Sequence, residues 1–153
     1  MDQFRTPVPG TFDGGCLCGA VRYRVSDPFG AGYCHCETCR RMSGGPAIIW
    51  AAVEERRSVL ISGSPLVYRS SDRARRQFCG ACGSTLFLLY DDLPGMVLFA
   101  TGSLDEPERL PPRFHLWTSA AAVPVPEDGL PRFPEGLPAE AFAIPPASAA
   151  PGR

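Results

Sequence analysis

Between residues 12 and 118 the chain contains short stretches of apolar residues of the length of β-strands, some with the period of two that half-buried strands show. The clearest case is AVRYRV at 20–25, in which apolar residues and arginines take turns. Runs of this kind, separated by Gly, Pro and Asp, predict strands at 20–25, 46–53, 58–62, 66–69, 75–79, 85–90 and 96–100. A helical pattern is confined to 37–42. We therefore predict a mainly β fold with one short helix.

The end of the chain has a different composition. From residue 124 to residue 153 there are eight prolines among Ala, Gly and acidic residues, with little periodicity. Such a segment cannot build a core of its own. We predict one folded domain over 1–123 and a Pro/Ala-rich tail over 124–153 that is irregular or partly disordered. The residues expected to hold parts of this tail against the domain are Leu130, Phe133, Leu137 and Phe142.

Length and charge limit the classes of function. A chain of 153 residues with 44% hydrophobic residues can form one domain with a real core. Its net charge of −1 argues against a general nucleic-acid binder. The start, MDQFRTPVPGTFDGG, lacks the basic and apolar regions of a secretory signal, and no apolar run reaches the roughly 18 residues of a membrane span. We expect a cytoplasmic protein that binds neither nucleic acid nor membranes.

Seven cysteines are the main candidates for chemistry. They fall into three groups, written C-x-C at 16–18, C-x-C-x-x-C at 34–39 and C-x-x-C at 79–82. Disulfides rarely persist in the cytosol, and seven thiols would leave one unpaired, so metal binding is favoured over a disulfide scaffold. Zinc sites with four protein ligands are structural, whereas sites with three keep a position for water or substrate. The count predicts one site of each kind.

The first and last groups have the same form, two close thiols followed at once by glycine. A glycine after the second ligand permits a tight turn with positive φ, which lets backbone N–H groups point at the sulfurs. We call each pair with its glycine a knuckle, and we predict that the two knuckles hold one structural zinc. Buried thiols without metal, or a redox pair, are the alternatives. The four predicted ligands are Cys16, Cys18, Cys79 and Cys82.

The middle group has three thiols, and no glycine follows them directly. Cys34 and Cys36 are predicted on one side of an extended segment, with Cys39 returning toward them from the first helical turn. His35 should point away from its neighbouring sulfurs, so it is a packed or solvent-facing residue in preference to a ligand. Three sulfurs then face one point, and the fourth ligand has to come from elsewhere.

Two arginines follow this group. Zinc with three thiolates carries one net negative charge, and an incoming thiolate would add another. Arg40 and Arg41 come immediately after the last cysteine. A guanidinium can offset the negative charge or bind a carboxylate bidentately, and a solvated surface position is the alternative for each. We expect one of the pair to point into the site.

Three stretches of the sequence resemble the glutathione-dependent formaldehyde-activating enzymes, a family grouped with centromere protein V. They are GGCLCGAVRYRV (14–25), CHCETCRRMSGG (34–45) and FCGACGSTLF (78–87). The resemblance implies a mainly β, Mss4-like domain held together by zinc, with two zinc ions per chain. Carried over by position, it makes the knuckle cysteines structural ligands, and it makes Cys34, Cys36 and Cys39 the ligands of a catalytic zinc.

The resemblance also implies an activity. The family's named reaction condenses glutathione with formaldehyde to S-hydroxymethylglutathione, and it is classed as a carbon–sulfur lyase in the reverse direction. We therefore expect a zinc-dependent lyase whose partners are a thiol, such as glutathione, and an aldehyde. Arg40 or Arg41 would hold a glutathione carboxylate. Trp50 and His115 would line the pocket, and His115 is a candidate for proton transfer or for a structural role.

Two other classes of function stay open at this point. A non-catalytic zinc module that binds a partner would need an exposed apolar groove or a basic tail. A metal or redox sensor would use the cluster at 34–39 as a labile site.

Overall fold

The structure, a computed structural model, describes residues 6–137. Within this range the chain forms ten strands and one α-helix. The strands are β1 Thr11–Gly15, β2 Arg22–Ser26, β3 Ala31–Cys34, β4 Ile48–Glu54, β5 Ser58–Ser62, β6 Leu66–Ser71, β7 Ala74–Phe78, β8 Thr85–Tyr90, β9 Met96–Ala100 and β10 Pro112–Leu116. The helix, α1, is Glu37–Ser43. The mainly β fold with one short helix after the middle cysteines is confirmed.

The strands form two sheets. One has three strands in the order β1-β2-β5, and the other has seven in the order β10-β3-β4-β9-β8-β7-β6. All neighbours pair antiparallel except β10 and β3, which run parallel. The parallel pair brings the late strand β10 beside the strand that ends at Cys34. The β-rich body therefore places residues near 115 next to the middle cysteine group.

The core fills the space between the two sheets. Tyr23 and Val25 alternate with exposed or half-exposed arginines on β2, which is the pattern the sequence predicts. The ring of Tyr23 packs edge-on against Phe87 with 4.8 Å between centroids, and its hydroxyl bonds Ser103 at 2.7 Å. Such burial of large apolar side chains provides most of the driving force for folding.

A glycine fixes how closely β3 and β10 approach each other. A Cβ on Gly32 would lie 2.0 Å from the ring of Phe114, so no larger residue fits while that ring is in place. Phe114 is buried and spans the junction between β10 and β3. Packing at this point positions the strand that leads into the three-cysteine group.

The predicted strands agree with the observed ones to within two residues at either end. The predicted helix at 37–42 is one residue shorter than α1. Three strands, β1, β3 and β10, were not predicted. β1 ends in two glycines, and β3 has four residues with a glycine second, so neither shows a clean apolar alternation. β10, PRFHL, does alternate, but it is short and begins at the second of two prolines, which favour a turn or loop.

The described part of the tail, residues 124–137, follows β10 and forms no strand, only an isolated bridge between Arg132 and His115. Its backbone exchanges hydrogen bonds with His115, from His115 N–H to the Pro131 carbonyl at 2.8 Å and from Phe133 N–H to the His115 carbonyl at 2.8 Å. Leu130, Phe133 and Leu137 are half-buried, whereas Phe142 lies outside the described residues. The division at residue 123 stays a prediction. No helix within 6–137 has the length and apolarity to cross a membrane.

Candidate metal centres

The two knuckles meet at one point, although sixty residues separate them. The sulfurs of Cys16, Cys18, Cys79 and Cys82 all lie within 4.8 Å of one another. Cys16 follows β1 and the second knuckle follows β7, so the group joins the small sheet to the large one. Gly19 and Gly83 both have positive φ, +77° and +76°, as expected for the tight turns. Four thiol donors at one point fit a tetrahedral zinc site.

Donor groups near two of these sulfurs, those of Cys16 and Cys82, favour the thiolate form that a metal requires. The N–H of Val21 donates to Cys16 Sγ at 3.2 Å and lowers the pKa of that thiol. The hydroxyl of Ser84 lies 3.1 Å from Cys82 Sγ and, with the Ser84 N–H, lowers the pKa of Cys82 to about 5. These bonds are the supporting contacts that metal ligands usually have. The residues of this site therefore suit a structural zinc.

The middle cysteines form a second, smaller group. Cys34 ends β3, Cys36 caps the N-terminus of α1, and Cys39 lies in the first turn of that helix. Their three sulfurs lie within 4.8 Å of one another, and Cys39 N–H points at Cys36 Sγ at 3.4 Å. Hydrogen bonds from the neighbouring thiols of Cys34 and Cys39 lower the pKa of Cys36 to about 2, while Cys36 raises the pKa of Cys34. The set provides three of the four ligands of a tetrahedral zinc.

A buried arginine lies against this group, and the sequence analysis did not identify it. The guanidinium of Arg76 points two nitrogens at Cys39 Sγ, at 3.7 and 3.8 Å, and its Nε bonds Ser70 Oγ at 3.0 Å. Arg76 is only 3% exposed, and no carboxylate among residues 6–137 forms an ion pair with it. A buried cation is costly without an anion. The sulfurs of the three-cysteine group supply that anion when they are thiolates.

Trp50 is the predicted pocket residue that contacts the cluster. Its indole N–H donates to Cys39 Sγ at 3.4 Å, and the Arg76 guanidinium lies 6.0 Å from its ring centroid. Trp50 and Cys39 also share one buried apolar cluster. Cys39 therefore receives donors from both Trp50 and Arg76, which is the arrangement expected around a negatively charged sulfur.

The two arginines after Cys39 have different surroundings. Arg41 is exposed and pairs with Glu37 at 2.8 Å across one turn of α1. Arg40 is half-buried, and its Nε is buried without a hydrogen-bond partner among the described residues. The expectation that one of the pair points inward stays a prediction, and the burial of Arg40 makes it the better candidate.

His115 is buried and belongs to a polar network that reaches the surface at Asp128. Its Nε2 lies 3.0 Å from an Asp128 carboxylate oxygen and its Nδ1 lies 2.9 Å from Nε2 of His35. Because the carboxylate can only accept, His115 donates to it from Nε2, and in the neutral ring its Nδ1 accepts from His35 Nε2–H. Tyr33 stacks on His115 with centroids 4.7 Å apart. Within residues 6–137, no hydrogen bond links His115 to a cysteine.

Asp128 gives a test of this network. Removing the carboxylate in Asp128→Ala should loosen residues 128–137 from β10, so the amide hydrogens of Phe133 and Trp117 should exchange on the order of tenfold faster. The Leu130 N–H and then His115 hold the pKa of Asp128 below its usual range, so its contribution is lost as the pH falls through that lowered value. The exposed neighbour Glu127→Ala is the control. Equal exchange in both variants would contradict an anchoring role for Asp128.

Comparison with known proteins agrees with this architecture. A solved structure of a Rhodobacter sphaeroides protein superposes with a TM-score of 0.54 at 20% identity, covering 79% of this chain and 98% of that one, which shows a shared fold. An uncharacterised lyase of Schizosaccharomyces pombe is 35% identical over 81 residues, which are 52% of this chain and 58% of that protein. The chain thus matches less than two thirds of the yeast protein's length.

A second relative and a family model extend the similarity. A Halomonas elongata protein, named provisionally as a glutathione-dependent formaldehyde-activating enzyme, is 29% identical over 114 residues, covering 68% of this chain and 73% of that protein. The model of the glutathione-dependent formaldehyde-activating enzymes matches residues 11–120, a range that contains all seven cysteines. Because that range is more than half of the chain, the protein belongs to the glutathione-dependent formaldehyde-activating enzyme family.

Proposed function

We propose that the chain is a zinc-dependent carbon–sulfur lyase that acts on the adduct of a thiol with an aldehyde. The observation that carries this proposal is the group of Cys34, Cys36 and Cys39, whose three sulfurs converge within 4.8 Å beside the buried cation Arg76. Family membership and the lyase name of the yeast relative support the reaction class. Glutathione is the proposed thiol because the family and the Halomonas relative carry it in their names.

In this proposal the two cysteine groups have different roles. Cys16, Cys18, Cys79 and Cys82 hold a structural zinc, and the three middle cysteines hold a catalytic one. Cys34, Cys36 and Cys39 would hold this zinc, which would supply a Lewis acid with one ligand position left for a substrate thiolate. The positive charge of Arg76 offsets the negative charge that accumulates when such a thiolate approaches Cys39.

The reaction balances without an added oxidant or reductant. In the synthetic direction the thiol sulfur attacks the aldehyde carbon, a carbon–sulfur bond forms, and the thiol proton ends on the former carbonyl oxygen. In the lyase direction the same bond breaks and the hydroxyl proton returns to sulfur. Trp50 and Arg76 hold the Cys39 sulfur in place during these steps, and Arg40 is the proposed partner of a substrate carboxylate.

Titration of the cobalt-substituted protein with glutathione tests the proposal. The expected result is a new sulfur-to-cobalt charge-transfer band that saturates, followed by a spectral change when formaldehyde is added. S-Methylglutathione, which has no free thiol, is the matched control and should give no band. Metal analysis should find two zinc ions per chain in the wild type and one in Cys36→Ser. If no thiol changes the spectrum, or if Cys36→Ser keeps both metals, the proposed lyase site is wrong.

A further inference from the structure

Most of the large exposed apolar residues within 6–137 lie on two strands that follow each other in sequence, β5 and β6. Nine large hydrophobic residues are exposed among the described residues, and six of them lie between positions 59 and 68, so the surface is not uniformly polar. These six are 48–59% exposed. We call them the apolar wing, and its members are Val59, Leu60 and Ile61 on β5 and Leu66, Val67 and Tyr68 on β6. Large apolar residues exposed along two edge strands are candidates for an interaction site.

Both strands of the apolar wing are sheet edges. β5 is the last strand of the three-stranded sheet, and β6 is the last strand of the seven-stranded sheet. Proteins usually protect such edges with charged residues, because the unpaired backbone can bind another strand. The sequence from Ser58 to Tyr68 contains no charged residue, and Pro65 lies just before β6. The β6 edge is therefore open to pairing.

The C-terminal tail is a poor candidate to cover this edge. The described chain ends at residue 137, beside β10, which is the opposite edge of the seven-stranded sheet. Six strand spacings of about 4.8 Å, or roughly 29 Å, separate the two edges. Residues 138–153 include four prolines, which cannot donate to a β-ladder, and only Phe142 and Ile144 as large apolar residues.

A second copy of the same chain matches the apolar wing better. We propose that two copies pair through β6 in antiparallel orientation about a two-fold axis near Val67. In this register Val67 lies opposite its own copy and Leu66 lies opposite Tyr68, an aliphatic–aromatic pair that stabilises antiparallel strands. Arg69, which pairs with Asp91 at 2.9 Å, then lies opposite Pro65 and not opposite another arginine. The sequence around Val67 is thus complementary to itself.

The β6 part of the apolar wing fits a small, reversible interface. Its three side chains, each about half exposed, present on the order of 300 Å² of apolar surface per chain. Two copies paired through β6 would bury on the order of 600 Å² of this apolar surface together with the backbone of both edges, which places the interface in the small, transient class. We therefore expect a dimer that forms at micromolar concentration and dissociates at nanomolar concentration.

Sedimentation of the full-length zinc-loaded chain tests this proposal. At tens of micromolar the wild type should have the mass of two 16.5 kDa chains, and Val67→Lys should have the mass of one, because a charge on the edge opposes its own copy. Val123→Lys is the matched control, since Val123 has similar exposure outside the apolar wing, and it should stay dimeric. Circular dichroism checks that each variant keeps its fold.

Amide exchange provides a second measurement that does not depend on any variant. On raising the wild-type concentration from the monomeric to the dimeric range, amide hydrogens of residues 66–69 should exchange more slowly while those of β1 stay unchanged. A wild type that is monomeric at tens of micromolar, or a Val67→Lys variant that remains dimeric, overturns the proposal. Protection at 66–69 that is independent of concentration but lost on deleting residues 138–153 would identify the tail as the occupant instead.

Discussion

Cys79→Ser should abolish the cooperative thermal unfolding transition of the chain. Cys79 is 1% exposed and belongs to the group that joins the end of β1 to the end of β7. Structural zinc in small zinc-finger domains contributes about 10–16 kcal/mol of apparent binding free energy. The whole free energy of unfolding of a typical domain is only about 5–15 kcal/mol. Removing one ligand of this site should therefore leave little or no folded protein at room temperature.

Chelation of the wild type should have the same effect as this substitution. Excess EDTA, followed by calorimetry, should remove the unfolding transition, and added zinc should restore it. Cys36→Ser is the matched control, because it removes a sulfur of the three-cysteine group and leaves the knuckles intact. It should keep the transition and lose one metal ion. If Cys79→Ser unfolds at the wild-type temperature, the four sulfurs do not hold a structural metal.

The cysteine groups could be predicted from sequence because their chemistry is local. Close thiols cannot easily bond each other, and a glycine after the second one permits the positive-φ turn, so the spacing alone predicts the knuckles. The contact between the two knuckles belongs to the tertiary structure. It was nevertheless predicted, because two pairs of cysteines supply the four ligands that one tetrahedral zinc ion needs. β2, with its clear alternation, and β8, a short apolar run between turn residues, were predicted from equally local patterns.

What the sequence did not reveal depends on contacts between distant segments. β10 pairs with β3 across about eighty residues, and its short alternating stretch after two prolines does not indicate which strand it joins. Arg76 was missed because a charged residue in a strand normally faces solvent. One signal was available in the sequence. Residues two apart on a strand face the same side, so Arg76 shares the buried face of β7 with the small apolar Ala74, while Arg75 faces the other side. The hydrogen bonds that join His115 to Asp128 and to His35 also depend on the tertiary structure, so the sequence did not predict them.

On the proposed function, in which a thiol binds at the three-cysteine group, Arg76→Gln should weaken that binding by roughly 10²–10³-fold. Removing one partner of a buried charge pair typically costs about 3–5 kcal/mol. In this protein the partner is the Cys39 sulfur, 3.7 Å from the guanidinium. Without the cation, a thiolate entering the cluster meets negative charge that nothing nearby offsets, and in the low dielectric of a buried site this repulsion is strong.

The adjacent residue supplies the matched control for this substitution. Arg75 lies on the opposite face of β7 and pairs with Asp91 at 2.9 Å, so Arg75→Gln removes the same charge from the same strand without touching the cluster. Arg76→Lys keeps the positive charge but replaces the planar guanidinium with an ammonium group, so it should recover part of the glutathione affinity that Arg76→Gln loses. The dissociation constant of glutathione for the cobalt-substituted protein is the measured quantity, with metal content determined for each variant.

Two results of this comparison have distinct meanings. If Arg76→Gln retains both metals and binds glutathione as tightly as Arg75→Gln does, the guanidinium does not balance the charge of the thiolates, and its burial against Cys39 has only a packing role. If Arg76→Gln loses one metal while Arg75→Gln keeps two, the cation is needed already for three thiolates to hold zinc. The expected result lies between these, with both metals retained and thiol affinity reduced, because one positive charge matters most when a fourth thiolate is added to the three.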